Sequence, residues 1–145
     1  MSDMCAICAK HRGEGPLRGE LVGRTERFWV YHDGPGDEGL AALGRLYLES
    51  DRHAAYLADL TDAEASELGR LRTRLAAALR TELDAEFVFA AVIGRGHAHF
   101  HEHLVTRHRG TPDDVPWDAS DDAAPRATPD QLRDLAARLR SAVEG

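Results

Sequence analysis

The chain lacks any run of eighteen apolar residues, so no transmembrane helix is expected. It lacks an excess of basic charge. One lysine (Lys10) and 17 arginines face 25 acidic residues, for a formal net charge of −7. That balance argues against a nucleic-acid polymer as partner, because such binding needs a basic face. A small anion is not excluded, since local charge decides its binding. The arginine bias is read as compositional rather than as recognition. Cysteine is scarce, with only Cys5 and Cys8, so no disulfide framework is expected. The start of the chain lacks a charged stretch followed by an apolar one. No secretory signal is therefore read there, and a cytoplasmic protein is expected.

What is present suits an ordinary globular protein. Apolar residues make up 43% and charged residues 30% of 145, so a single domain spanning residues 1–145 with its own core is expected. Cys5-Ala-Ile-Cys8 has no room for a preceding strand, as a redox CxxC would have. It reads instead as half of a four-ligand metal site. Residues 1–15 read as a loop or a metal-organised knuckle.

Periodicity lays out the rest. Glu20-Leu21-Val22, Phe28-Trp29-Val30-Tyr31 and Leu43 to Glu49 read as strands. Thr61-Asp62-Ala63-Glu64 is a capping box, and Leu68, Leu71, Leu75 and Leu79 recur at helical spacing, predicting a helix from Asp62 to Leu83. Phe87 to Ile93 reads as a strand, with a hairpin turn at Gly94-Arg95-Gly96. Residues 110–145 form a C-terminal excursion anchored by Trp117, then a helix opened by Thr128-Pro129-Asp130-Gln131. The sum is an α+β chain: an antiparallel sheet of about five strands, one long central helix and a C-terminal helix.

Half of the eight histidines fall at alternate positions: His97, His99, His101 and His103. On an extended strand such residues lie roughly 6.6 Å apart on one face. A row of imidazoles can bind a transition metal or attack phosphorus, since imidazole is both nucleophile and leaving group near neutral pH. A metal-dependent hydrolase or lyase would use the row as ligands. Covalent catalysis would use one ring to attack and a second to hold the phosphoryl group.

His99-Phe100-His101-Glu102-His103-Leu104-Val105 resembles the motif of the histidine triad (HIT) family. The order CxxC, strand, apolar strand ending in His53, helix and triad resembles its bacterial zinc-containing members over about residues 5–109. The resemblance implies a structural zinc, with no organic cofactor, on Cys5, Cys8, His53 and His99. His11, three residues after Cys8, is the alternative fourth ligand. It implies His101 as nucleophile at the α-phosphate of a nucleotide, acting on a phosphoramidate or dinucleoside polyphosphate through a nucleotidyl-histidine intermediate. His103 would orient the phosphate and His99 would also border the substrate. Asp33 would bind the ribose hydroxyls, against plain turn chemistry before Gly34. A homodimer is implied. A non-catalytic nucleotide-binding module is a further alternative.

Two departures stand out. The family's Gly-Gln-Ser/Thr segment is replaced by Gly94-Arg95-Gly96-His97, where Arg95 either contacts phosphate or is an exposed turn residue. Glu102 occupies a usually apolar position. His97 lies outside the triad and is read as a bystander.

Overall fold

The computed structural model describes residues 4–145. Met1–Asp3, on which the leader and knuckle readings partly rest, lie outside the described residues. Five antiparallel strands form the main sheet: β1 (Gly19–Arg24), β2 (Phe28–Asp33), β4 (Leu46–Ser50), β5 (Ala85–Ala91) and β6 (His101–His108), in the order β1-β2-β4-β6-β5. A two-residue pair, β3 (Ala41–Ala42) with β7 (Arg126–Ala127), stands apart. A short helix α1 (Ala6–His11) precedes the sheet. The long helix α2 (Asp62–Leu83) and the C-terminal α3 (Pro129–Glu144) pack on one sheet face.

Alternation divides the sheet cleanly. Phe28, Val30, Leu46, Leu48 and Leu104 point into the core, where they meet Leu68, Leu71, Leu75 and Leu79 of α2 and Leu135 and Leu139 of α3. Each fully buried leucine contributes about 1.5–3 kcal/mol. Both long helices begin as capping boxes: Thr61 and Thr128 accept from the amides of Glu64 and Gln131, whose side chains return the bond. Trp29, Tyr31, Tyr47, Glu49, His101 and His103 lie on alternate positions of β2, β4 and β6, hence on the opposite face. There α1 covers part of the sheet. His11 stacks on Trp29, with ring centroids 4.6 Å apart, and Lys10 Nζ sits 4.2 Å over the Tyr31 ring.

Three expectations are corrected. The turn at Gly94–Gly96 is not a tight hairpin, because β5 ends at Ala91 and β6 begins at His101. His97 and His99 therefore precede the strand, and the four imidazoles do not share one face. Residues 6–11 are helical rather than loop, with the Cys5 Sγ accepting from the Cys8 amide at the helix start. The excursion is not held by Trp117, which is 40% exposed and touches Phe89. It is held by Ala124, Ala127 and Ser120, all buried, and by the Leu43 amide donating to the Pro125 carbonyl. Among the described residues no helix is long and apolar enough to cross a membrane.

Glu102 has a clear partner. It faces α2, where the Arg72 guanidinium donates twice to its carboxylate at 2.7 Å. Glu102 is nearly fully buried while Arg72 is partly exposed. Arg72→Ala should lower the unfolding free energy by about 1–3 kcal/mol by leaving that carboxylate unpaired. Replacing both residues with leucine should recover most of the loss in the same urea titration.

Candidate active site and metal cluster

His99 sits just before β6, fully buried, and is held from both sides. Its Nε2–H donates to the Ser50 carbonyl at 2.7 Å, while the Phe100 amide donates to the Ala54 carbonyl at 2.6 Å. With Nε2 protonated, Nδ1 carries the lone pair. That lone pair faces Cys5 Sγ and Cys8 Sγ, each 3.4 Å away, and His53 Nδ1 at 3.2 Å. His53 Nδ1 in turn lies 3.4 Å from Cys8 Sγ. The four donor atoms all fall within 4.8 Å of one another. Around a tetrahedral zinc, with its usual bond lengths, nitrogen and sulfur donors sit about 3.5 Å apart and two nitrogens about 3.3 Å apart. The donor set and spacing therefore fit zinc. Burial first, and the neighbouring Cys5 second, push the Cys8 thiol up to about 11. A cation between the sulfurs would reverse that balance.

His11 is not part of this group. Its Nε2 lies 2.9 Å from Glu49 Oε1, and Lys10 Nζ lies 2.5 Å from Glu49 Oε2. His99 Nε2 is taken by the Ser50 carbonyl, and its Nδ1 faces the two sulfurs and His53.

His101 and His103 follow on β6, opposite Glu49 and Tyr47 of β4. Their rings are 5.3 Å apart between centroids. His101 Nδ1–H donates to the His99 carbonyl at 2.8 Å, which leaves the lone pair on Nε2. A Cβ built on Gly94 would stand 1.8 Å from that nitrogen, so glycine alone fits beside it. His103 differs. Arg45 Nη2 approaches its Nδ1 at 2.8 Å, and its Nε2 is buried with no partner among the described residues. Burial first, then Arg45, then His101 lower its pKa to about 4.

A cavity of about 190 Å³ joins His101 and His103 to Asp33, Lys10, Tyr47 and Glu49. Burial raises the Asp33 carboxyl above its ordinary value. A second cavity of about 430 Å³ also borders His101, together with Tyr56, Leu57, Ile93 and Arg95. Thus Asp33 is brought to both imidazoles, whereas Arg95 is exposed and lies with His101 only. His97 is exposed and borders both cavities.

No family sequence model matches the chain, and no curated protein sequence matches it. Solved structures do. A HIT-like protein involved in cell-cycle regulation from Bartonella henselae is 15% identical over 97% of this chain and 96% of its own, with TM-score 0.70. A zinc-bound histidine triad family protein from Mycobacterium smegmatis is 23% identical over 99% and 96%, with TM-score 0.67. A histidine triad protein from Marinobacter aquaeolei is 15% identical over 87% and 89%, with TM-score 0.68.

The chain has the histidine triad fold. Within that fold, Lys10, Arg45, Tyr47 and Glu49 are site residues that the sequence reading did not single out. The alternation Arg45-Leu46-Tyr47-Leu48-Glu49 carries the signal, because every second residue is polar or aromatic and faces the triad.

The histidine pKa values set a pH dependence. His103 has a folded value of about 4 against an ordinary 6.5, and burial also lowers His32, whose Nε2 accepts from the Gly44 amide. The unfolded chain therefore binds more protons than the folded one between these values. Stability is full above about pH 6.5 and is lost as pH falls toward 4. Urea midpoints measured across that window should fall with acidification, and His103→Gln should flatten the slope.

Proposed function

We propose that this chain is a histidine triad nucleotide hydrolase or nucleotidyl transferase acting at the α-phosphate. The observation that carries the reading is the unlike pair on β6. His101 presents a lone pair at Nε2, and His103 presents a proton at Nε2 into the same cavity. A phosphoryl group between them would meet a nucleophile and a hydrogen-bond donor.

In the first step His101 Nε2 donates its electron pair to phosphorus. The bond from phosphorus to the amine nitrogen of a phosphoramidate, or to the bridging oxygen of a dinucleoside polyphosphate, breaks with its electrons. A departing amine takes a proton from water. In the second step water attacks phosphorus, the N–P electrons return to Nε2, and the water proton passes to solvent. A nucleoside monophosphate leaves. His103 donates to a non-bridging oxygen throughout. Asp33, at the end of β2 in the same cavity, is the proposed partner of the ribose hydroxyls.

Zinc on Cys5, Cys8, His53 and His99 is proposed as structural. When bound it ties α1 to the base of β6, and it takes no part in the bond changes. A metal held by the row itself has no support in the geometry. Among the described residues the cysteine–histidine group is the one set spaced for a metal. A homodimer is proposed across the β5 edge, where Phe87 is 56% exposed beside an open strand. A cytoplasmic setting, where cysteines stay reduced, suits Cys5 and Cys8 as zinc ligands.

His101→Ala should cut hydrolysis of adenosine phosphoramidate and of dinucleoside polyphosphates roughly a thousandfold or more while retaining zinc. Gly94→Ala should cost roughly a hundredfold by crowding Nε2. Cys8→Ala should lose the single zinc equivalent by elemental analysis and lower Tm. If a chelator stopped turnover while circular dichroism and Tm were unchanged, the metal-dependent reading would replace this one. If no nucleotide substrate were cleaved, a binding module would.

A further inference from the structure

The nucleophile is prepared by a backbone carbonyl, but the donor is prepared by a side chain from another strand. Arg45 stands one residue before β4, behind His103, and its Nη2 is 2.8 Å from His103 Nδ1. A guanidinium can only donate. His103 Nδ1 must therefore accept, and a neutral ring then has its one proton at Nε2. That Nε2 is buried, has no partner among the described residues, and borders the cavity of His101 and Asp33. A buried donor without an acceptor costs about 1–3 kcal/mol, which an acceptor oxygen entering that cavity would recover.

Arg45 is itself held in place. Its Nη1 forms an ion pair with Asp121, from the 3-10 turn at Trp117–Ala123. Its guanidinium carbon lies 5.7 Å from the centre of the Tyr47 ring, and Tyr47 meets His103 edge-on at 5.0 Å. Gly44, just before it, has φ +95, and a Cβ there would strike Thr106 at 2.6 Å. The Thr106 hydroxyl donates to the Gly44 carbonyl. The backbone that launches Arg45 is thus fixed by β6, the strand that carries His103.

We propose that Arg45 is the positioning residue of the triad: it holds His103 in the neutral Nε2–H form, so that the ring serves as a fixed hydrogen-bond donor to a non-bridging phosphoryl oxygen, and Asp121 holds Arg45. The groups around His103 are Arg45, Tyr47 and Glu49 from β4 and its approach, His101 from β6, Asp33 from β2 and Lys10 from α1. Of these, Arg45 alone bonds the ring. The guanidinium also lends positive charge behind the phosphate without touching it. His103 then neither takes nor gives a proton during turnover. The phosphate part of this inference rests on the function proposed above, while the tautomer does not.

The test uses the full, zinc-loaded chain, labelled with nitrogen-15. Wild-type His103 should show an unprotonated, pyridine-like Nδ1 and a protonated Nε2, and the Nε2–H signal should shift on adding AMP. Arg45→Met should give mixed tautomers and lower kcat about tenfold, the worth of one misdirected hydrogen bond. Arg45→Lys, which keeps a donor, should restore part of both. Asp121→Asn should broaden the His103 signals with a smaller loss of kcat. If Arg45→Met fails to fold, the wild-type spectrum and Asp121→Asn decide. A proton on Nδ1 in the wild type, or an Arg45→Met protein with unchanged tautomer and kcat, overturns the proposal. An Nε2–H signal unmoved by AMP overturns its phosphate part. An intact tautomer with no turnover of any nucleotide refutes the reaction and leaves the Arg45 placement supported.

Discussion

The hydrogen bond from His99 Nε2 to the Ser50 carbonyl fixes three things at once. It sets the ring's tautomer, so that Nδ1 faces the two cysteines and His53. It pins the start of β6 to the end of β4, which places His101 opposite Glu49 and His103 opposite Tyr47. It also orients the His99 backbone, whose carbonyl accepts from His101 Nδ1. One residue therefore joins the cysteine–histidine group to His101 through opposite ends: the side chain serves one and the carbonyl the other. Displacing Ser50 would disturb both, although Ser50 contributes only backbone to His99.

The consequence is that adjacent, chemically identical side chains acquire different protonation patterns without any change in their intrinsic chemistry. His99 and His103 carry their proton on Nε2, and His101 carries it on Nδ1. The cause in each case is the group behind the ring: a carbonyl at Nε2, a carbonyl at Nδ1, or a guanidinium at Nδ1. Burial keeps His99 and His103 neutral by penalising the charged form. Both cations near His101 and His103 are themselves held by carboxylates, Arg45 by Asp121 and Lys10 by Glu49.

Much of this was legible in sequence because it depends on local rules. The helix Asp62–Leu83 follows from its capping box and leucine spacing, and its bounds agree with the structure. The cluster of Cys5, Cys8, His53 and His99 could be expected from the resemblance, which also carried the fold. What failed was the assumption that spacing of two means strand throughout. Alternation is a property of extended chain, and the segment from His97 to Phe100 is not in a strand. It turns at Gly94, whose missing side chain leaves room for His101. Glu102 and Arg45 were opaque for a different reason. Each is explained by a partner thirty or more residues away, Arg72 for one and His103 for the other. No local pattern encodes those pairs.

The excursion after β6 lies beyond the resemblance in sequence, yet it is joined to the site rather than appended to it. Its terminal residues pair with β3, which leads through Leu43 and Gly44 to Arg45. Its 3-10 turn supplies the carboxylate that holds the guanidinium. Both attachments converge on the segment 41–45, the approach to β4. An isolated surface ion pair would contribute little, because solvent screening and side-chain entropy offset it. The Arg45–Asp121 pair is not in that situation. Arg45 Nε is buried, and the backbone on either side is tied by β3 to the excursion and by Thr106 to β6. Geometry held from three directions orders a charge at a lower entropic cost than a free side chain would require. The long, irregular segment that looked dispensable in sequence thus helps set the direction in which His103 presents its proton.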